Sequence, residues 1–280
     1  FFQKLHSHAN QTLRLGITGP PGAGKSTLTD QLIQQIISDG KSVGVVAVDP
    51  TSPFTGGALL GDRVRMNHYI WDDNVFIRSM GSHGDLGGLA RKAQDVGDVL
   101  AASGKDVVIF ETVGVGQGEL DVAKAVDLTI VVLVPESGDE VQLMKAGLVE
   151  IADIFVVNKS DRQGADRLAQ SLKSILHSIT KKDHLEPPIY NTSADRNEGI
   201  SELYKGLTDL TEVMVDKGLM NQKYLDRHRN RVLNLIQDQL LGKFWTQQRL
   251  DQLEDSVHNL SMTDESPYKV AKTLLDSANE

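Results

Sequence analysis

Residues 19–26 read Gly19-Pro-Pro-Gly-Ala-Gly-Lys-Ser26, an octet that fits G-x-x-x-x-G-K-[ST]. Its glycines let the backbone curl until successive N–H groups converge on an anion. The apolar run Leu13–Thr18 precedes it, and Lys25–Ser38, with helical length and period, follows it. Strand, glycine loop and helix N-terminus in that order build a phosphate cradle, because the helix dipole adds positive potential to the converging N–H groups. The loop residues expected around the nucleotide phosphates are Gly22, Ala23, Gly24, Lys25, Ser26 and Thr27. Lys25 is expected at the β/γ-phosphates, the Ser26 hydroxyl on Mg²⁺ and Thr27 at the α-phosphate. The octet therefore predicts a P-loop nucleoside triphosphatase.

Outward from the octet, short apolar runs alternate with amphipathic stretches. Strands are expected at Leu13–Thr18, Ser42–Val48, Val75–Arg78, Asp106–Phe110, Leu128–Leu133 and Ile154–Val157, with a further short one at Ile189–Tyr190. Their Val, Ile and Leu content suits strands buried on both faces. Helices are expected at Lys25–Ser38, Gly88–Ala102, Glu140–Ile151 and Ala165–Ile179. The alternation predicts an α/β fold with a mostly parallel sheet flanked by helices. Of 25 glycines only Gly218 and Gly242 follow Lys217, and the pattern changes there. Leu225, Val232, Leu235, Ile236, Leu240 and Phe244 recur at helical steps, and Ser266-Pro267 opens a last short helix. The expected division is 1–217 as the nucleotide domain and 218–280 as a helical extension. From pattern alone that extension is equally a cap on the sheet or an arm burying its stripe in a second subunit.

The base is read from Asn158-Lys159-Ser160-Asp161, at the end of the strand Ile154–Val157. An Asp carboxylate there can accept from both N1–H and N2–H₂ of guanine, a donor pair that adenine lacks. Asn158 is expected to steady the loop and Lys159 to lie along the base plane. Thr192-Ser193-Ala194 follows the next strand and can offer a backbone N–H to guanine O6, which puts Ser193 and Ala194 in the binding set. The nucleotide is thus expected to be GTP or GDP. Acids at the strand ends, Asp49 and Glu111, and Asp62 on a glycine-flanked loop, are candidates to serve Mg²⁺, which needs few carboxylates. Gly114, just past Glu111, is placed to offer its N–H to the γ-phosphate.

Composition excludes several classes. The 280 residues are 40% hydrophobic and 24% charged, enough for a sizeable core. The net charge of −9 disfavours bulk attraction to nucleic acid or an anionic membrane. Zero cysteines remove disulfides, thiolate metal sites and Cys nucleophiles, and the eight His show no ligand spacing. No apolar run approaches the ~20 residues that cross a bilayer. A first residue of Phe rather than Met suggests a trimmed N-terminus, so a cytoplasmic location is expected with any upstream targeting segment unread.

Taken together, the octet, Val48-Asp-Pro-Thr-Ser-Pro53, Gly56-Gly-Ala-Leu-Leu-Gly-Asp-Arg63, Leu86-Gly-Gly88, Glu111-Thr-Val-Gly-Val-Gly-Gln117, Ser137-Gly-Asp-Glu-Val-Gln142 and Asn158-Lys-Ser-Asp161 resemble the MeaB/ArgK-type GTPases of the SIMIBI class. The likeness is close from Leu13 to Lys217 and looser beyond. It implies a G-protein chaperone of adenosylcobalamin-dependent methylmalonyl-CoA mutase or a related acyl-CoA mutase, working as a homodimer through its helical arm. It carries magnesium ligands onto Ser26, Asp49, Asp62 and Glu111, and switch loops onto about 49–62, 113–119 and 137–147. Lys145, on the third switch, matches a lysine that the partner mutase brings to the nucleotide, so the implied catalytic set is Lys25, Glu111 and Lys145. Glu136-Ser137 stands where many relatives carry Gly-Ala, and an upstream helical extension of some relatives is short or absent.

Three other readings compete. A small-molecule kinase would need an acceptor pocket and a base outside the magnesium set. A metal-inserting GTPase would need Cys or His clusters. A G domain cut from a fused mutase would not need the long tail after Gly218.

Overall fold

The computed structural model describes residues 12–50, 66–69, 71–82, 88–112, 122–136, 147–179, 185–258 and 266–277. Strands are β1 (Leu13–Thr18), β2 (Val43–Pro50), β3 (Val75–Ser82), β4 (Val107–Thr112), β5 (Leu128–Leu133), β6 (Ile154–Val157) and β7 (Ile189–Asn191). Helices are α1 (Lys25–Ser38), α2 (Gly88–Ala102), α3 (Leu148–Ile151), α4 (Ala165–Ile179), α5 (Ile200–Asp216), α6 (Leu219–Phe244), α7 (Gln247–His258) and α8 (Pro267–Asp276). The seven strands form one sheet in the order β3-β2-β4-β1-β5-β6-β7. Every pairing in it is parallel, so the expected mostly parallel sheet is wholly parallel.

Successive residues of the central strands feed opposite cores, which is why their sequences are continuously apolar. Val107 and Ile109 of β4, Leu128, Ile130 and Val132 of β5, and Ile154 and Val156 of β6 join a core with Leu28, Leu32, Ile33 and Ile36 of α1 and Leu203 and Leu207 of α5. Val131, Leu133, Phe155 and Val157 pack instead with Leu172 and Leu176 of α4. Val46, Val108 and Phe110 pack with Ala93 and Leu100 of α2. Helices therefore cover both faces. Of the expected helix Glu140–Ile151, α3 supplies Leu148–Ile151, and 140–146 lie outside the described residues.

Two compact units divide at Arg227/His228, inside α6. In the second, Ser266 caps α8 by accepting from the Lys269 N–H, with Pro267 opening the helix. Arg249 donates to the carbonyls of Phe244 (2.6 Å) and Ser277 (3.1 Å), tying α7 to the ends of α6 and α8. Phe244, Trp245, Val257 and Leu274 line an apolar cavity of about 380 Å³ there. Among the described residues no helix is long and apolar enough to cross a membrane.

Candidate functional site

At β1 the chain order reverses: β4 lies on one side and β5 on the other. Parallel sheets bind ligands beyond the carboxyl ends of their strands at such a point. The glycine octet leaves β1 there, Glu111 and Thr112 end β4, and Asn158 follows β6.

Two glycines of the octet are fixed by close approach. Gly19 has φ 138°, and a Cβ there would sit 2.0 Å from the Val132 carbonyl oxygen of β5. Gly24, which precedes the first turn of α1 with φ 85°, would place a Cβ 2.4 Å from Asn158 Nδ2. Both are left-handed positions that disfavour a side chain even before the clash. Lys25 is buried, and its Nζ donates to the carbonyls of Gly19 (2.8 Å) and Pro20 (3.0 Å) across the loop.

The Ser26 hydroxyl donates to Glu111 Oε1 at 2.6 Å, although the two residues are far apart in sequence. Glu111 is 2% exposed, and the register places it beside Ile17 of β1 and Ala47 of β2. A serine hydroxyl and a carboxylate in contact at the cradle's edge are an oxygen donor set that suits Mg²⁺. Asp49 lies on β2 opposite Gly81, but its side chain, Asp62 and Gly114 fall outside the described residues, as does Lys145. Among the described residues no group of three or more His, Cys, Asp or Glu is arranged to hold a metal.

Asn158 joins the cradle to the second loop. Its Nδ2 donates to the Ala23 carbonyl (2.8 Å), while Oδ1 accepts from Thr192 Oγ1 and from the Ala194 N–H, each at 3.1 Å. The Ala194 N–H can only donate, so Oδ1 must face it and Nδ2 must face the P-loop. Lys159, in the left-handed region at φ 56°, reaches the same loop, donating to the Gly22 carbonyl at 2.7 Å. Both Asn158 and Lys159 thus hold residues of the octet.

Asp161 is presented by neighbouring donors. Ser193 Oγ donates to its Oδ1 at 2.8 Å, and Arg196 lies 3.0 Å from Oδ2. The Ser193 hydrogen bond first, with Arg196 and Arg162 adding charge, holds the Asp161 carboxyl below the ordinary aspartate value. It is therefore an anion at neutral pH, fit to accept two hydrogen bonds from one base edge. The backbone N–H groups of Thr192, Ser193 and Ala194 are directed to Val157 O, Glu198 O and Asn158 Oδ1. The N–H that can be offered to guanine O6 is among these three, each of which here holds the loop in shape.

Two features were not read from the sequence. Thr112 Oγ1 donates to Thr18 Oγ1 at 3.0 Å, locking the ends of β4 and β1. Arg196 and the Ser193 hydroxyl set the Asp161 carboxylate. Only the position of Ser193 just past a strand signalled any of this, because the partners lie on different loops.

A family model described as "Methylmalonyl Co-A mutase-associated GTPase MeaB" matches residues 1–249. A protein of Pyrococcus abyssi is 43% identical over 276 residues, covering 98% of this chain and 85% of its own. The mouse protein named methylmalonic aciduria type A homolog, mitochondrial, is 36% identical over 239 residues, covering 84% of this chain and 58% of its own. A solved structure described as a LAO/AO transport system kinase superposes with a TM-score of 0.70 at 28% identity, over 100% of this chain and 85% of the other.

Proposed function

The chain belongs to the family of methylmalonyl-CoA mutase-associated GTPases, and from that membership we propose that it is a GTP-driven chaperone gating adenosylcobalamin loading or protection of an acyl-CoA mutase. It is a GTPase, and its nucleotides are those of guanine. The observation that carries the reading of the site is the Asn158 bridge, which ties the phosphate loop to the loop bearing Asp161. One side chain thereby links the two halves of a guanine nucleotide site.

In this reading Asp161 accepts from guanine N1–H and N2–H₂, with Ser193 and Ala194 shaping the wall beside it. The N–H groups of Gly22, Ala23, Gly24, Lys25, Ser26 and Thr27 bind the phosphates. Lys25 turns its ammonium from the Gly19 and Pro20 carbonyls towards the β/γ-phosphates, where a desolvated cation stabilises the charge that spreads over the γ-oxygens. Ser26 and Glu111, with Asp49 and Asp62 expected to join them, would hold Mg²⁺, which would supply neutralisation of the phosphate charge. Gly114 offers its N–H to the γ-phosphate. Lys145, brought in by the mutase, completes the charge set. The helical extension joins two copies.

Turnover with and without a candidate acyl-CoA mutase tests this. Hydrolysis of GTP, and not ATP, should be slow alone and rise when the mutase is added. A chain that neither binds the mutase nor responds to it is not its chaperone. Transfer of the γ-phosphate to an amino acid rather than to water would favour the kinase reading that the LAO/AO description raises.

A further inference from the structure

Three aspartates occupy one repeated position along the amino-terminal edge of the sheet. Asp106, Asp127 and Asp153 immediately precede β4, β5 and β6, and each caps a neighbouring strand. Asp106 Oδ2 accepts from the Ser42 N–H (2.7 Å), Asp127 Oδ2 from the Arg14 N–H (2.9 Å) and Asp153 Oδ2 from the Thr129 N–H (2.8 Å). Two of the three also meet a cation one helical turn apart on α6. Lys223 Nζ donates to both oxygens of Asp153 at 2.6 Å, and the Arg227 guanidinium donates to Asp127 Oδ1. Arg227 and Asp127 are nearly buried, at 11% and 6% side-chain exposure.

The faces of α6 are reversed from those of an ordinary amphipathic surface helix. Leu225, Val232, Leu235, Ile236 and Leu240 are 41–62% exposed, and no residue of the helix is fully buried. Its first turns meet the sheet edge with charge, only Met220 packing against the apolar core. We propose that Asp127–Arg227 and Asp153–Lys223 form a two-point electrostatic latch, holding the root of α6 on the sheet and able to open without unfolding it. Release is inexpensive for both partners. The cations recover hydration that offsets most of the lost attraction, as it does not for an apolar anchor. Each carboxylate keeps its strand N–H, so neither acid is stranded without a donor.

Amide hydrogen exchange of the full chain, followed by mass spectrometry, tests the latch. Lys223→Met should speed exchange in residues 219–227 by about tenfold or more while the peptides of β1, β5 and β6 keep the parental rate. Lys223→Arg, which keeps the charge, should restore protection. Arg227→Met is paired with Asp127→Asn, which removes the carboxylate charge together with its cation and retains an acceptor for the Arg14 N–H. That pair should also loosen 219–227 selectively. Unchanged exchange in both variants would show that Met220 holds the root and would overturn the latch. Strand peptides accelerating in step with the helix would overturn it too, since the acids would then serve only the sheet.

Discussion

Replacing Asn158 by alanine removes one side chain and three buried hydrogen bonds, to Ala23, Thr192 and Ala194. Asn158 is 2% exposed, and Thr192 and Ala23 are at 0%, so water cannot readily replace the amide. At ~1 kcal/mol for each lost bond, and more where a buried partner stays unmet, the cost is about 3–5 kcal/mol. For a unit of this size each kcal/mol moves the melting temperature by ~2–4 °C, so a fall of about 10 °C is expected. Asn158→Asp, although nearly isosteric, should be worse than Asn158→Ala, because it turns a carboxylate oxygen towards the Ala23 carbonyl and buries a charge. Scanning calorimetry of the nucleotide-free and GDP-loaded protein reads both effects. GDP should recover less stability in either variant than in the parent, since the phosphate and base loops no longer move as one. A melting temperature lowered by under ~2 °C, or an Asp variant more stable than the Ala variant, would refute the bridge.

Asp161→Asn should weaken GDP binding by about tenfold to a hundredfold while leaving the weak affinity for ADP unchanged, as measured by titration calorimetry. Equal affinity of the parent for GDP and ADP would remove the guanine assignment. Ser26→Ala should weaken Mg²⁺-dependent GTP binding more than metal-free GDP binding, and hydrolysis that needs no divalent ion would contradict the metal set. Lys145→Ala should leave basal hydrolysis nearly intact and abolish the mutase-stimulated part; stimulation equal to the parent's would deny Lys145 a role. Light scattering should report a dimer for the full chain and a monomer for one ending at Gly218, and a full chain that is monomeric at micromolar concentration ends the arm reading.

The sheet was legible because its strands are buried on both faces and bounded by polar residues or glycine. Leu13–Thr18, Leu128–Leu133 and Ile154–Val157 are the same in sequence and structure, as are the helices Lys25–Ser38 and Ala165–Ile179. Strand β2 runs on to Pro50 and β3 to Ser82 because they pair with each other beyond their apolar runs. The octet and Asn158–Asp161 were legible as local patterns. Their joining was not, because a hydrogen bond from Asn158 to Ala23 leaves no period or spacing to read. The helix after Gly218 was legible from its apolar spacing, yet the exposure of those apolar residues and the inward charges Lys223 and Arg227 depend on where Asp127 and Asp153 stand. Those acids look like ordinary polar residues ahead of strands until the sheet order brings them to one edge.

The sheet order also bears on how the chain is made. The strand that carries the phosphate loop is made before the other six, yet its two neighbours are β4 and β5, with Leu13 aligned on Val107 and Leu15 on Leu128. Strand β2 cannot protect it in the meantime, since β4 is inserted between them. At translation speeds of ~5–20 residues per second, Leu15 and Ile17 wait on the order of ten seconds before either flank exists. During that interval the nascent chain displays a bare apolar strand with no nucleotide site to stabilise it. The GTPase unit should therefore depend on holding chaperones until about residue 133 has emerged, and ligand can assist only folding that comes after that.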